Sequence, residues 1–170
     1  MLLPDAEQLL AELIERLRPA ITTDTVIVGI HTGGAWLARR IHDALQLSVP
    51  IGTLDISFYR DDYSKIGLHP QVKPSALPFD VEGSRILLVD DVLFTGRTVR
   101  AAVNELFDYG RPACIHLAVL VDRGGRELPV NPQYVGAELS LPENSMLELK
   151  QDENDKLSLE LRLSNIKNDA

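Results

Sequence analysis

The chain has 170 residues, 45% hydrophobic and 25% charged, with 25 acidic against 17 basic side chains and a net charge of −8. That size and balance fit a single globular domain over 1–170 with a substantial core, and the acidity argues against generic nucleic-acid binding, which runs on basic patches. No apolar run approaches the roughly 20 residues that cross a membrane, Met1–Glu7 lacks a signal-peptide pattern, and a lone cysteine, Cys114, allows no internal disulfide framework. A cytoplasmic protein with a buried, inert thiol is expected.

Leu9, Leu10, Leu13, Ile14 and Leu17 recur at helical spacing, which predicts an amphipathic helix over about 5–18, ending before Pro19. Thr25–Ile30 is a continuous apolar run of the kind that forms a strand buried on both faces. It runs into His31-Thr32-Gly33-Gly34 and then into a helical pattern carrying Leu37, Ile41, Ala44 and Leu45. Strand, glycine turn and helix start make an anion site, because a helix N-terminus offers unpaired N–H groups and partial positive charge. A plain tight turn is the alternative for 31–34. His31 suits either a hydrogen bond to anionic oxygens or a turn with no chemical role.

Pro50–Tyr59 alternates in part and reads as a strand. From Arg60 to Gly83 the sequence has no periodicity and three prolines, so a functional loop is expected there, a lid over about 60–83. Then comes the most informative stretch, Arg85-Ile86-Leu87-Leu88-Val89-Asp90-Asp91-Val92-Leu93-Phe94-Thr95-Gly96-Arg97-Thr98. A buried strand is expected to end at two adjacent carboxylates, and Thr95–Thr98 to open a helix with Val99, Ala102, Val103, Leu106 and Phe107 on its apolar face. Gly96 permits close approach of an anion, Thr95 and Thr98 add hydroxyls, and Arg97 adds charge. Asp90 and Asp91 suit ribose hydroxyls and Mg²⁺. A ligand with phosphate at one end and diphosphate at the other would use both turns.

Ala113–Val121 is a further apolar strand, ending in Asp122-Arg123-Gly124-Gly125-Arg126-Glu127, with Arg126 and Glu127 expected as a structural ion pair. Shorter strands at Tyr134–Gly136, Ser145–Lys150 and Leu157–Leu163 are expected to build a small antiparallel hood over about 130–165. Alternating strands and helices predict an α/β fold, a mostly parallel twisted sheet flanked by helices. His42, His69 and His116 show no metal-ligand spacing.

The run Val89–Arg100 resembles the phosphoribosyl-diphosphate (PRPP) signature of type I phosphoribosyltransferases, and in its detail the PyrR family. That resemblance spans nearly the whole chain. It implies a uracil phosphoribosyltransferase converting uracil and PRPP to UMP and diphosphate with Mg²⁺, in a homo-oligomer, and a possible role as a UMP-sensing regulator that binds pyrimidine-operon mRNA. It implies that Asp90, Asp91 and Val92–Thr98 hold the 5′-phosphate and ribose. Thr32, Gly33 and Arg60 would hold diphosphate, Arg60 from the lid, and Arg123 would stand at the base. Asp90, Asp91 and Arg60 are the catalytic candidates, and the two aspartates the metal candidates, directly or through water. The chain departs from the family at His31, Gly33, Ile66 and Gly125, which replace charged residues or histidine. Those losses weigh against RNA, for which Arg39, Arg40 and Arg100 remain as a basic face. A purine-base phosphoribosyltransferase and an RNA-binding attenuator with a vestigial enzymatic site are the alternatives.

Overall fold

The computed structural model describes residues 1–56 and 75–164. Arg60, Ile66, His69 and the first part of the expected lid lie outside them. The described chain runs α1 (Ala6–Leu17), β1 (Val26–Ile30), α2 (Gly33–Leu45), β2 (Gly52–Leu54), β3 (Arg85–Leu93), α3 (Arg97–Tyr109), β4 (Cys114–Asp122), β5 (Tyr134–Glu138), β6 (Ser145–Gln151) and β7 (Leu157–Leu163).

Five strands form one parallel sheet in the order β2-β1-β3-β4-β5. All five residues of β1 are buried, as are Ile86 to Asp90 of β3. Both faces must therefore be covered, and they are. On one side α1, α2 and the hairpin β6–β7 pack through Leu10, Leu13, Leu37, Ile41, Leu147 and Leu157. On the other, α3 packs through Val99, Ala102 and Leu106. Each fully buried aliphatic side chain contributes about 1.5–3 kcal/mol relative to exposure.

The strand order fixes where a ligand binds. From β1 the chain steps outward to β2, then returns to the other side of β1 as β3. The crevice between the C-terminal ends of β1 and β3 is the switch point where open α/β sheets bind ligands.

The helix starts follow the sequence closely. Asp5 caps α1, its carboxylate accepting from the Gln8 backbone N–H at 3.1 Å. Thr32 and Gly96 precede α2 and α3 with no side-chain cap bond. Arg97 N–H instead donates to Thr95 Oγ1 at 3.2 Å.

Several expectations are corrected. Strand β3 does not stop at the aspartates; parallel pairing of Val92 with Val121 and Leu93 with Asp122 carries it to Leu93. Strand β2 is only three residues long, though Ile56 beyond it is buried. The stretch 75–83, expected as lid, is tied into the body: Ala76 and Thr53 exchange backbone hydrogen bonds of 2.8 and 2.9 Å, and Val81 is buried. Tyr134–Glu138 is not part of the hood but the edge strand of the main sheet, parallel to β4. The hood proper is the antiparallel pair β6–β7. Cys114 is half-buried rather than buried.

A half-exposed ion pair fastens the hood. Arg40 Nη2 lies 2.5 Å from Glu7 Oε2, and Glu7 Oε1 accepts the Leu157 backbone N–H at 2.9 Å. The Arg40 guanidinium holds the Glu7 carboxyl below its ordinary value, helped by the Leu157 N–H. One glutamate thus ties α1, α2 and β7 together. It also takes Arg40 out of any free basic face.

Candidate active site

A cleft of about 440 Å³ opens at the switch point. Thr32 and Gly33, just past β1, line one side and Asp90 to Gly96 with Thr98 the other; Arg123 and hood residues close it. Every described residue expected to hold PRPP or the base lines this cleft, except Arg97; His31 does not line it. The Arg97 guanidinium turns to Glu127, with Nε and Nη2 at 2.8 and 2.6 Å from Oε2.

The first anion turn touches the aspartates at the end of β3. Asp91 Oδ1 accepts the Val92 N–H at 2.8 Å, while its other oxygen lies against Gly33. A methyl group on Gly33 would overlap Asp91 Oδ2 and come within 2.8 Å of Cγ. A methyl on Gly34 would overlap the Val89 carbonyl oxygen, with Asp90 Cα 3.1 Å away. The helix that follows can therefore sit on β3 only because both residues lack side chains. The peptide between His31 and Thr32 is cis. Asp90 is 3% exposed, with Oδ1 accepting the Asp91 N–H at 2.9 Å. The pair presents hard carboxylate oxygens from adjacent residues at the crevice, a donor set that suits Mg²⁺ completed by substrate oxygens and water. Among the described residues no group of three or more His, Cys, Asp or Glu gathers elsewhere to hold a metal.

The loop after β4 braces the phosphate loop. Thr95 O accepts the N–H groups of Glu127 and Leu128 at 2.9 and 3.1 Å. Arg126 pairs not with Glu127, as expected, but with Asp122 at 2.6 Å, and also donates to Phe94 O and Val130 O at 3.0 and 2.9 Å. Neighbours in sequence point apart, whereas Asp122 and Arg126 meet across a tight turn through Gly124. The Arg126 hydrogen bond, with a smaller contribution from the Gly124 N–H, holds the Asp122 carboxyl below its ordinary value of 3.8. A depressed folded-state value stabilises above the unfolded value and is lost as pH falls through the folded one. Arg126→Gln is thus expected to lower the urea midpoint at about pH 7, with the gap to wild type closing below about pH 4. A gap that stays constant on acidification would place the loss elsewhere.

The hood wall was missed at the level of residues. Met146, Glu148 and Lys150 line the cleft, with Lys150 Nζ 2.7 Å from Glu148 Oε2. The signal was present: residues alternate along β6, so these three share one face while Leu147 and Leu149 enter the core. Trp36, on the first turn of α2, also lines the cleft and carries no sequence signature for it.

Comparison with known proteins agrees with this layout. The phosphoribosyl transferase domain family matches residues 2–145. The chain is 49% identical over 166 residues to the bifunctional protein PyrR of Pseudomonas syringae pv. tomato, covering 95% of this chain and 96% of the relative. It is 50% identical over 153 residues to the bifunctional protein PyrR of Pseudomonas fluorescens, covering 88% and 91%. Among solved structures, a purine phosphoribosyltransferase from Pyrococcus horikoshii superposes with a TM-score of 0.61 at 26% identity, over 79% of this chain and 82% of that one. A hypoxanthine-guanine phosphoribosyltransferase from Bacillus anthracis gives 0.64 at 20% identity, over 81% and 82%, a likeness of fold alone. The fold is that of the type I phosphoribosyltransferases, and the chain belongs to the PyrR family.

Proposed function

We propose that the chain transfers phosphoribose from PRPP to uracil, forming UMP and diphosphate. The observation that carries this is the crevice itself: a glycine turn in contact with Asp91, beside a helix opened by Thr95–Thr98, in one cleft. Uracil N1 bonds to the ribose C1′ as the bond to diphosphate breaks, and the N1 proton passes to water. Backbone N–H groups and hydroxyls of Thr95 to Thr98 hold the 5′-phosphate, just past Val92 and Leu93 at the end of β3 and Phe94 after it. Asp90 and Asp91 bind the ribose hydroxyls, and their charge favours the positive charge that develops on the ring. Thr32 and Gly33 hold the departing diphosphate, with Arg60 as its further partner. Arg123 and its loop stand beside the base.

Phosphoribosyltransferases generally use Mg²⁺ with PRPP. Asp90 and Asp91 would hold it, directly or through water, where it would neutralise charge on the leaving diphosphate. No side-chain nucleophile enters. The chain's single cysteine, Cys114, is half-buried and lies outside the cleft; a cytoplasmic enzyme, in an assembly of more than one copy, fits this reading.

A panel of free bases tests the substrate. Uracil with PRPP and Mg²⁺ is expected to turn over, and hypoxanthine and guanine to be poor. A protein that prefers a purine would overturn the uracil assignment and keep the rest.

A second role has support in the bifunctional name shared by relatives near 50% identity. Arg39 and Arg100 are exposed, while Arg40 is committed to Glu7. Salt-dependent binding to a pyrimidine-operon leader, strengthened by UMP, is the mark of such a regulator. No binding at low salt would end that reading.

A further inference from the structure

Arg123 follows β4 and is 9% exposed, yet its guanidinium does not open into the cleft as a free donor. Its Nη1 donates to Ser145 O at 2.7 Å, and Nη2 to Pro142 O and Ser145 Oγ at 3.2 and 3.4 Å. These acceptors belong to the start of the hood. No carboxylate among the described residues pairs with this buried charge, and Nε is buried without a hydrogen-bond partner. The charge is met instead by an aromatic face: the guanidinium carbon stands 4.2 Å from the centroid of the Phe94 ring.

Phe94 is fixed a second time. A methyl group on Gly125 would overlap the ring at Cε2 and lie 2.9 Å from Cδ2, so the Gly125 backbone rests on the ring edge. Gly125 has φ +77°, a conformation that side chains disfavour. The ring is thus held by guanidinium on one face and by backbone at one edge. It nevertheless remains 40% exposed, and that exposed part lines the cleft. An apolar ring kept exposed and rigid beside the end of the ribose-binding strand has one evident use.

We propose that Phe94 is the stacking platform for the planar base, and that Arg123 is the positioning residue that fixes it by fastening ring and hood together. This rests on the phosphoribosyl-transfer reading and moves Phe94 from the phosphate-and-ribose half of the site to the base half. Stacking needs only a π face, so Phe94 supplies affinity for a flat heterocycle, and the room between ring and hood selects among bases.

Equilibrium binding separates this role from a structural one. UMP carries the base; ribose 5-phosphate fills the same phosphate and ribose positions without it. By calorimetry, Phe94→Leu is expected to weaken UMP about tenfold and leave ribose 5-phosphate within about twofold. Phe94→Tyr, which keeps the ring, should bind both as wild type does. Arg123→Lys should reproduce the selective loss of UMP, and the double variant with Phe94→Leu should be little worse than Phe94→Leu alone, because both act through one ring. If Arg123→Lys does not fold, the two Phe94 variants decide. UMP bound normally by Phe94→Leu, or UMP and ribose 5-phosphate weakened together, overturns the platform. The split is read without turnover: its absence in a protein that makes UMP removes the platform alone, and its presence in a protein that makes none removes the transfer reading alone.

Discussion

Asp91→Asn is expected to lower kcat/KM for PRPP by about 10²-fold or more while the fold stands. The substitution preserves size and leaves Oδ1 able to accept the Val92 N–H, now at 2.8 Å, so the strand end has no reason to rearrange. What it removes is negative charge at the crevice, which in the proposed reaction stands beside the ribose centre that turns positive in the transition state. It also replaces one of two candidate carboxylate ligands for magnesium by a weaker, neutral amide oxygen, so the variant should need more of the ion to reach its own maximum. Steady-state kinetics over a magnesium series, with a thermal melt alongside, checks both. Near-wild-type turnover in a folded variant would remove the aspartate from the mechanism.

Gly33→Ala and Gly34→Ala, one residue apart, should fail in different ways. The new methyl at Gly33 meets a side-chain end, the Asp91 carboxylate. That carboxylate can swing aside, so the chain folds, but the group is then displaced from the ribose. A shift near 1 Å at a reacting centre costs about 10²-fold in rate, and a loss of roughly 10- to 100-fold in kcat is expected at nearly unchanged Tm. The methyl at Gly34 meets the Val89 carbonyl and the Asp90 Cα, backbone of the central strand, which cannot yield. Helix α2 must lift from β3, at a cost of about 1–3 kcal/mol or more. The thermal melt should fall clearly for Gly34→Ala and little for Gly33→Ala. Full activity in Gly33→Ala would mean that the two loops do not constrain each other.

Much of this is legible in the amino-acid sequence. The apolar runs at 25–30, 86–89 and 113–121 became the three central strands, since continuous burial allows no alternation to confuse the pattern. The turns at 31–34 and 95–98 opened helices as their glycines and the following periodicity implied. What stayed hidden was partnership across space. The half-buried strand Tyr134–Glu138 reads the same whether it joins a hood or a parallel edge, because pairing direction leaves no mark in so short a segment. Arg126 and Glu127 look like partners in the sequence, yet each finds an opposite charge elsewhere, at Asp122 and at Arg97. Asp90 and Asp91 looked like a strand end, since carboxylates seldom enter a sheet centre. The strand continues because β4 still pairs beside them. The face of the hood turned to the cleft follows from alternation along β6, but that it faces the cleft is a tertiary fact.

The measurement closest to the central claim, that the turns at 31–34 and 90–98 form one grip on PRPP, is product formation by the purified protein from uracil, PRPP and Mg²⁺. UMP and diphosphate should appear in equal amounts, only when all three are present, and chelation of the metal should stop the reaction. No UMP from a folded protein under those conditions would contradict it.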